Sequence, residues 1–148
     1  MPSRDVELLK PPLQDLCQEH IRQCLIQLCP LEIKVIQTTR TIQEQEAYFA
    51  QGRKPIDEVN RLRAEAGLSL ITSKDNYIIT NTMKSKHLIG EAYDIGIFHN
   101  GTYLVKPEHD KYYIECAEIG KRLGLECGAF WKKRDLPHYE LLYALKEI

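Results

Sequence analysis

Two short segments of this 148-residue chain concentrate the side chains able to do chemistry: Ser85-Lys86-His87-Leu88-Ile89-Gly90-Glu91-Ala92-Tyr93-Asp94 and Asp135-Leu136-Pro137-His138. A catalytic zinc takes three protein ligands, leaves a position open for water, and works with a carboxylate that is not itself a ligand. His87, Asp94 and His138 suit the ligand role, and Asp135 suits the proton carrier. The pair His87 and Asp94 alone also fits a surface histidine and a turn aspartate. What raises it to a candidate metal centre is a carboxylate three residues ahead of a second histidine, well placed to act first as base and then as acid. Pro137 biases Leu136 toward extended backbone. In an extended segment Glu140 shares the side-chain parity of His138, so it either orients that imidazole from behind or stays solvated. A zinc hydrolase is the leading expectation, although two histidines and an aspartate accept other divalent ions as well.

The elements that must hold these residues follow from periodicity. Apolar residues Leu13, Leu16, Cys17, Ile21, Cys24, Leu25 and Leu28 recur at helical spacing over 13–29, after Pro11-Pro12 and before Pro30. The β-branched run over 32–39 predicts a strand. Thr41 with Glu44 three residues on is a capping-box signature for a helix that ends near Gly52, and a shorter helix over 57–66 is stopped by Gly67. A strand is expected over 92–98, with His99-Asn100-Gly101 turning it into a hairpin partner at 102–105. A helix over 108–123 ends at Gly124, and a closing strand covers 138–142. Gly90, between His87 and Asp94, can take backbone angles that aim both side chains at one point as a strand is entered through a tight turn. The whole predicts an α+β fold, a small mainly antiparallel sheet flanked by helices. The polar 53–84 connection is long enough to form a lid or a specificity loop.

Composition bounds the partners. Hydrophobic residues make up 43% and charged residues 28%, as in a globular domain, so the expectation is a single domain over 1–148. A net charge of -1 gives no footprint for a long polyanion, which argues against nucleic acid. No stretch approaches the roughly 20 apolar residues that span a bilayer, and the first residues lack a basic-then-apolar signal pattern, so synthesis in the cytoplasm without membrane insertion is expected. Five cysteines without short paired spacings are expected to stay thiols, Cys17 and Cys24 as small buried apolar groups. His20, His99 and His109 are expected to be structural or solvent-facing.

Ser85-x-His87-x-x-Gly90-x-Ala92-x-Asp94 followed by Asp135-x-x-His138 resembles the signature of zinc peptidases that include D-alanyl-D-alanine carboxypeptidases and the L-alanyl-D-glutamate endopeptidases of phage endolysins; the wider fold group also holds the amino-terminal hedgehog domain. Upstream, Thr39-Arg40-Thr41-x-x-x-Gln45-x-x-Tyr48-x-x-Gln51-Gly52-Arg53 is similar to a segment of the endopeptidase branch. The resemblance implies a hedgehog/DD-peptidase-like fold, Zn2+ on His87, Asp94 and His138, Asp135 as general base, and Arg40 steering a substrate carboxylate or the oxyanion. It further implies Gln45 and Ser85 as substrate-binding residues. The implied activity is cleavage of a stem-peptide amide in peptidoglycan by a monomer acting on the cell wall after release, most nearly as an L-alanyl-D-glutamate endopeptidase. The alternatives are a D-alanyl-D-alanine carboxypeptidase or dipeptidase, or a zinc-stabilised binding module without turnover. Glu126-Cys127-Gly128-Ala129-Phe130-Trp131 departs from the glycine-rich run many relatives carry there, which leaves the cleft wall open.

Overall fold

The computed structural model describes residues 2–142. Helix α1 (Pro11–Gln27) starts on two prolines, whose fixed φ and missing N–H suit a first helical turn. It buries Leu13, Cys17, His20 and Cys24, spaced four, three and four apart, as one stripe. Strand β1 (Glu32–Gln37) leads into α2 (Ile42–Ala50), where the Thr41 hydroxyl accepts from the Glu44 N–H and the Glu44 carboxylate accepts from the Thr41 N–H. Helix α3 (Ile56–Glu65) packs on α2. Then come β2 (Ala92–His99), β3 (Thr102–Tyr103), α4 (Asp110–Arg122), β4 (Leu125–Cys127) and β5 (His138–Leu141).

The sheet is antiparallel throughout, in the order β1-β2-β5-β4, with β3 completing a hairpin on β2. Tyr93 of β2 pairs with Tyr139 of β5, and both rings are fully buried, stacked 5.5 Å apart on the face covered by α1. His20 closes that face, with Nδ1 2.7 Å from the Tyr93 hydroxyl and Nε2 2.7 Å from the Cys116 carbonyl oxygen; it is a core histidine with both nitrogens engaged. Asp94 and His138, next along each strand, therefore point to the opposite face. Cys17, Cys24, Cys116 and Cys127 are buried free thiols and Cys29 is an exposed one. No helix among the described residues is long and apolar enough to cross a membrane.

The structure departs from the sequence expectations in four places. β1 stops at Gln37 after a register shift, because the backbone at Thr38 leaves the ladder and its N–H bonds to the Ser3 carbonyl. β3 covers only two residues, although the Leu104 N–H still reaches the Ile97 carbonyl. The expected helix over 108–123 begins as a 3-10 turn at Pro107–His109. Finally, β4 is too short at three residues to show a period, and α4 hands the chain into it through Gly124.

Gly128 lies where β4 gives way to the segment that carries Asp135. Its N–H-bearing neighbourhood is tight: a Cβ there would stand 2.3 Å from the Asp135 carbonyl oxygen, and the Gly128 carbonyl accepts the Asp135 N–H at 2.9 Å. Gly128→Ala is therefore expected to lower stability by about 1–3 kcal/mol, the usual cost of overpacking a closed contact. Urea unfolding checks this, and an unchanged midpoint would show that the 128–135 clasp yields freely.

Candidate metal centre and cleft

His87 arrives not on a strand but on a 3-10 turn, Lys86–Ile89. The Ser85 hydroxyl caps this turn by accepting the His87 N–H at 3.2 Å. Gly90 ends it in the left-handed conformation, at φ 70°, where a Cβ would meet the Leu8 carbonyl oxygen at 2.9 Å. The turn aims a buried imidazole at β2. Its Nδ1 lies 2.8 Å from the Thr38 carbonyl oxygen, which can only accept, so Nδ1 carries a proton and Nε2 is the nitrogen turned toward the centre. Nε2 stands 3.2 Å from Asp94 Oδ1.

His138 is held in the opposite sense. Its Nε2 lies 2.9 Å from Glu140 Oε1, also an acceptor, which leaves Nδ1 facing Asp94 Oδ1 at 3.2 Å. The candidate donor atoms of His87, Asp94 and His138 all lie within 4.8 Å of one another. Ligands of a tetrahedral zinc at about 2.0–2.1 Å stand roughly 3.3 Å apart, so the two 3.2 Å separations match that spacing. The electrostatics agree. Burial alone would lower the His138 pKa, but its bonds to Asp94 and Glu140 and their charges raise it to about 9, so the centre draws a cation. Burial would raise the Asp94 carboxyl, and the hydrogen bonds from His138 and His87 more than offset this, holding it below the ordinary carboxylate range. The residues present fit a divalent metal, and each imidazole has a partner on its far nitrogen, as metal-bound histidines do.

Asp135 stays outside that set. Its Oδ2 is 3.8 Å from His138 Nδ1 and half of its side chain meets solvent. Desolvation, and then the Asp94 charge, push its carboxyl above the usual value. Arg40 lines the same cavity of about 510 Å³. Its guanidinium donates to Gln45 Oε1 at 2.6 Å and Gln37 Oε1 at 2.5 Å and lies 4.8 Å over the Tyr48 ring, while its backbone N–H reaches the His87 carbonyl at 3.2 Å. Burial lowers its pKa, opposed mainly by the Asp94 charge, yet an arginine stays protonated. Neutral amide oxygens, not carboxylates, are the acceptors that fix the guanidinium in place.

Ser85, Asp94, Asp135, His87, His138 and Glu140 thus meet Arg40 around one cavity. Gln45 does not: it is fully buried, and its Nε2 donates to the Thr82 carbonyl at 2.6 Å. The expectation that Gln45 binds substrate is corrected to a role beneath the cleft, tying Arg40 to the 80–84 segment. That segment is the part of the 53–84 connection that reaches the cavity, through Thr80, Asn81, Thr82 and Lys84. Trp131 forms wall as well, its ring 5.1 Å from that of His138 and its Nε1 donating to Glu126 at 3.1 Å. Sequence reasoning missed Thr38, which contributes only a backbone carbonyl, and Gln37, whose role appears only once β1 lies beside β2.

Residues 79–141 match the family model described as D-alanyl-D-alanine carboxypeptidase, a span that includes His87, Asp94, Asp135 and His138 and lies downstream of Arg40. Among solved structures, the chain resembles the Serratia marcescens L-Ala D-Glu endopeptidase ChiX, with 20% identity, a TM-score of 0.57, and coverage of 100% of this chain and 93% of that one. It also resembles the vancomycin-resistance D,D-pentapeptidase VanY, solved as a mutant with Zn(II), at 14% identity and a TM-score of 0.53 over 90% of this chain and 72% of that one. A search of curated proteins gave no significant match. The matched segment is the one that carries all three candidate metal ligands and Asp135. The fold of the chain is the one shared with these endopeptidase and D,D-peptidase structures.

His87→Ala is expected to abolish stoichiometric zinc binding, measured by elemental analysis after dialysis. Glu140→Gln should keep the fold but weaken zinc about 10–100-fold, the usual cost of losing a carboxylate behind a ligand histidine. Full zinc occupancy in the first variant would remove His87 from the ligand set.

Proposed function

We propose that the chain is a Zn2+-dependent L-alanyl-D-glutamate endopeptidase that cleaves the stem peptide of peptidoglycan, with His87, Asp94 and His138 as metal ligands. The observation that carries this reading is a carboxylate outside the ligand set, Asp135, 3.8 Å from the His138 imidazole and lining one cavity with a guanidinium pinned by neutral amides. A binding module has no use for either. Zinc held by the three ligands supplies Lewis acidity, acidifying water and polarising an amide carbonyl.

The remaining roles belong to the chain itself. Asp135, its carboxyl pushed above the usual value by desolvation and then by the Asp94 charge, accepts a proton at Oδ2 and passes it to the departing amine. Arg40 places a fixed positive charge where negative charge gathers, and it needs no rearrangement because Gln37, Gln45 and Tyr48 already hold it. Glu140 and the Thr38 carbonyl orient both imidazoles so that the nitrogens able to bind a metal face inward. Ser85 shapes the turn that delivers His87 and lines the cavity, within reach of a bound peptide.

Support for the endopeptidase assignment is the correspondence over the whole chain with a structure named for that activity. The D-alanyl-D-alanine carboxypeptidase is the second reading, favoured by the description of the matching family model. The cell wall is the proposed place of action.

Mass spectrometry of purified muropeptides incubated with the protein, with and without chelator, separates the two bonds. Cleavage between L-alanine and D-glutamate that stops with chelator is expected. Release of terminal D-alanine alone would transfer the assignment to the carboxypeptidase. Asp135→Ala should retain zinc and lose about 10²–10⁴-fold in turnover, and undiminished cleavage would sink the role given to it.

A further inference from the structure

The cavity is lined by five cationic side chains against three carboxylates. Most of this charge is already spoken for. Asp94 and Asp135 belong to the metal centre. Glu140 is bonded to His138 and lies 3.6 Å from Lys86 Nζ, and Arg134 reaches Asp110 at 3.3 Å. Arg40 is pinned deep in the site by amides. Two cations are left over: Lys84 and Lys133 are exposed and have no carboxylate partner among the described residues.

They come from separate segments of the chain. Lys84 ends the segment that Gln45 anchors at Thr82, and Lys133 sits on the 131–135 segment between Trp131 and Asp135. Neither segment is free to swing far. The first is also held by Arg53, which donates to the Thr80 carbonyl at 3.0 Å, and the second by the clasp between Asp135 and Gly128. Two lysines on anchored walls of one cavity form a cationic mouth above a metal centre whose own carboxylates a divalent cation neutralises.

We infer that Lys84 and Lys133 select stem peptides by carboxylates that lie outside the scissile amide, favouring substrates whose D-glutamyl residue keeps a free α-carboxylate over those in which it is amidated. The inference rests on the peptidase reading above and narrows its substrate class. Ammonium groups on flexible stems suit this role, since they attract a carboxylate as point charges without demanding one orientation. The discrimination is modest, because each pair is solvent-exposed and screened by salt.

The test uses two synthetic stem peptides that differ only in whether the D-glutamyl α-carboxyl is free or amidated, with the zinc-loaded protein. The unmodified protein is expected to prefer the free carboxylate by about threefold to tenfold in kcat/KM, mostly through KM. The preference should shrink as salt is added. Lys84→Gln combined with Lys133→Gln should erase it by raising KM for the free acid while leaving the amidated peptide unchanged. The corresponding pair of arginine substitutions should restore it. Equal cleavage of both peptides by the unmodified protein overturns the inference and leaves the peptidase reading standing. An equal loss on both peptides in the glutamine variant also overturns it, since that marks a structural role. Cleavage of neither peptide by metal-loaded protein overturns the peptidase reading, and the inference with it.

Discussion

The site depends on one register. Asp94 stands at the middle of the sheet, paired across to Gln37 on β1 and to His138 on β5. That single row brings together a candidate ligand, its partner imidazole, and the amide that holds Arg40. Strand geometry makes the row all-or-none, since a slip of one residue would turn Asp94 into the core and bring Tyr93 out to the cleft. The adjacent row prevents such a slip. Tyr93 and Tyr139 are stacked and fully buried beneath α1, and displacing two aromatic side chains from a closed core costs several kcal/mol. Packing on one face of the sheet thus sets the metal-site geometry on the other.

The strands expected over 92–98 and 138–142 form within a residue of those bounds, and the capping box at Thr41 announced α2 outright. The chemistry-bearing side chains were singled out by combination: His87 and Asp94 alone were ambiguous, and Asp135 three residues ahead of His138 made the set worth joining. What stayed hidden is carried by backbone. The Thr38 carbonyl that sets the His87 tautomer has no side-chain signature, and the 3-10 turn at Lys86–Ile89 is too short to show a period. Gln45 was misplaced for a related reason. Its position in the motif associates it with the cleft, but only the docking of Thr82 on α2 shows that its amide is consumed beneath it. Local pattern reports which elements form; it does not report which of two neighbouring polar groups ends up facing solvent.

The way charge is partnered separates structural from reactive groups across this cleft. Both imidazoles are backed by acceptors, so their other nitrogens turn inward and meet at the Asp94 carboxylate. Arg40, by contrast, is held by two amide oxygens and an aromatic ring rather than by a carboxylate at hydrogen-bond distance. A carboxylate partner would bind the guanidinium more strongly, yet it would also cancel the charge that a developing oxyanion needs. Amide clamps accept a weaker bond and preserve the field. The same logic extends to the exposed part of the cleft, where Lys86 and Arg134 pair with Glu140 and Asp110 while Lys84 and Lys133 have no carboxylate partner among the described residues. Positive charge therefore lines the cavity from its exposed rim to the metal centre, with Asp135 the carboxylate there that stays half in solvent, free to trade its proton.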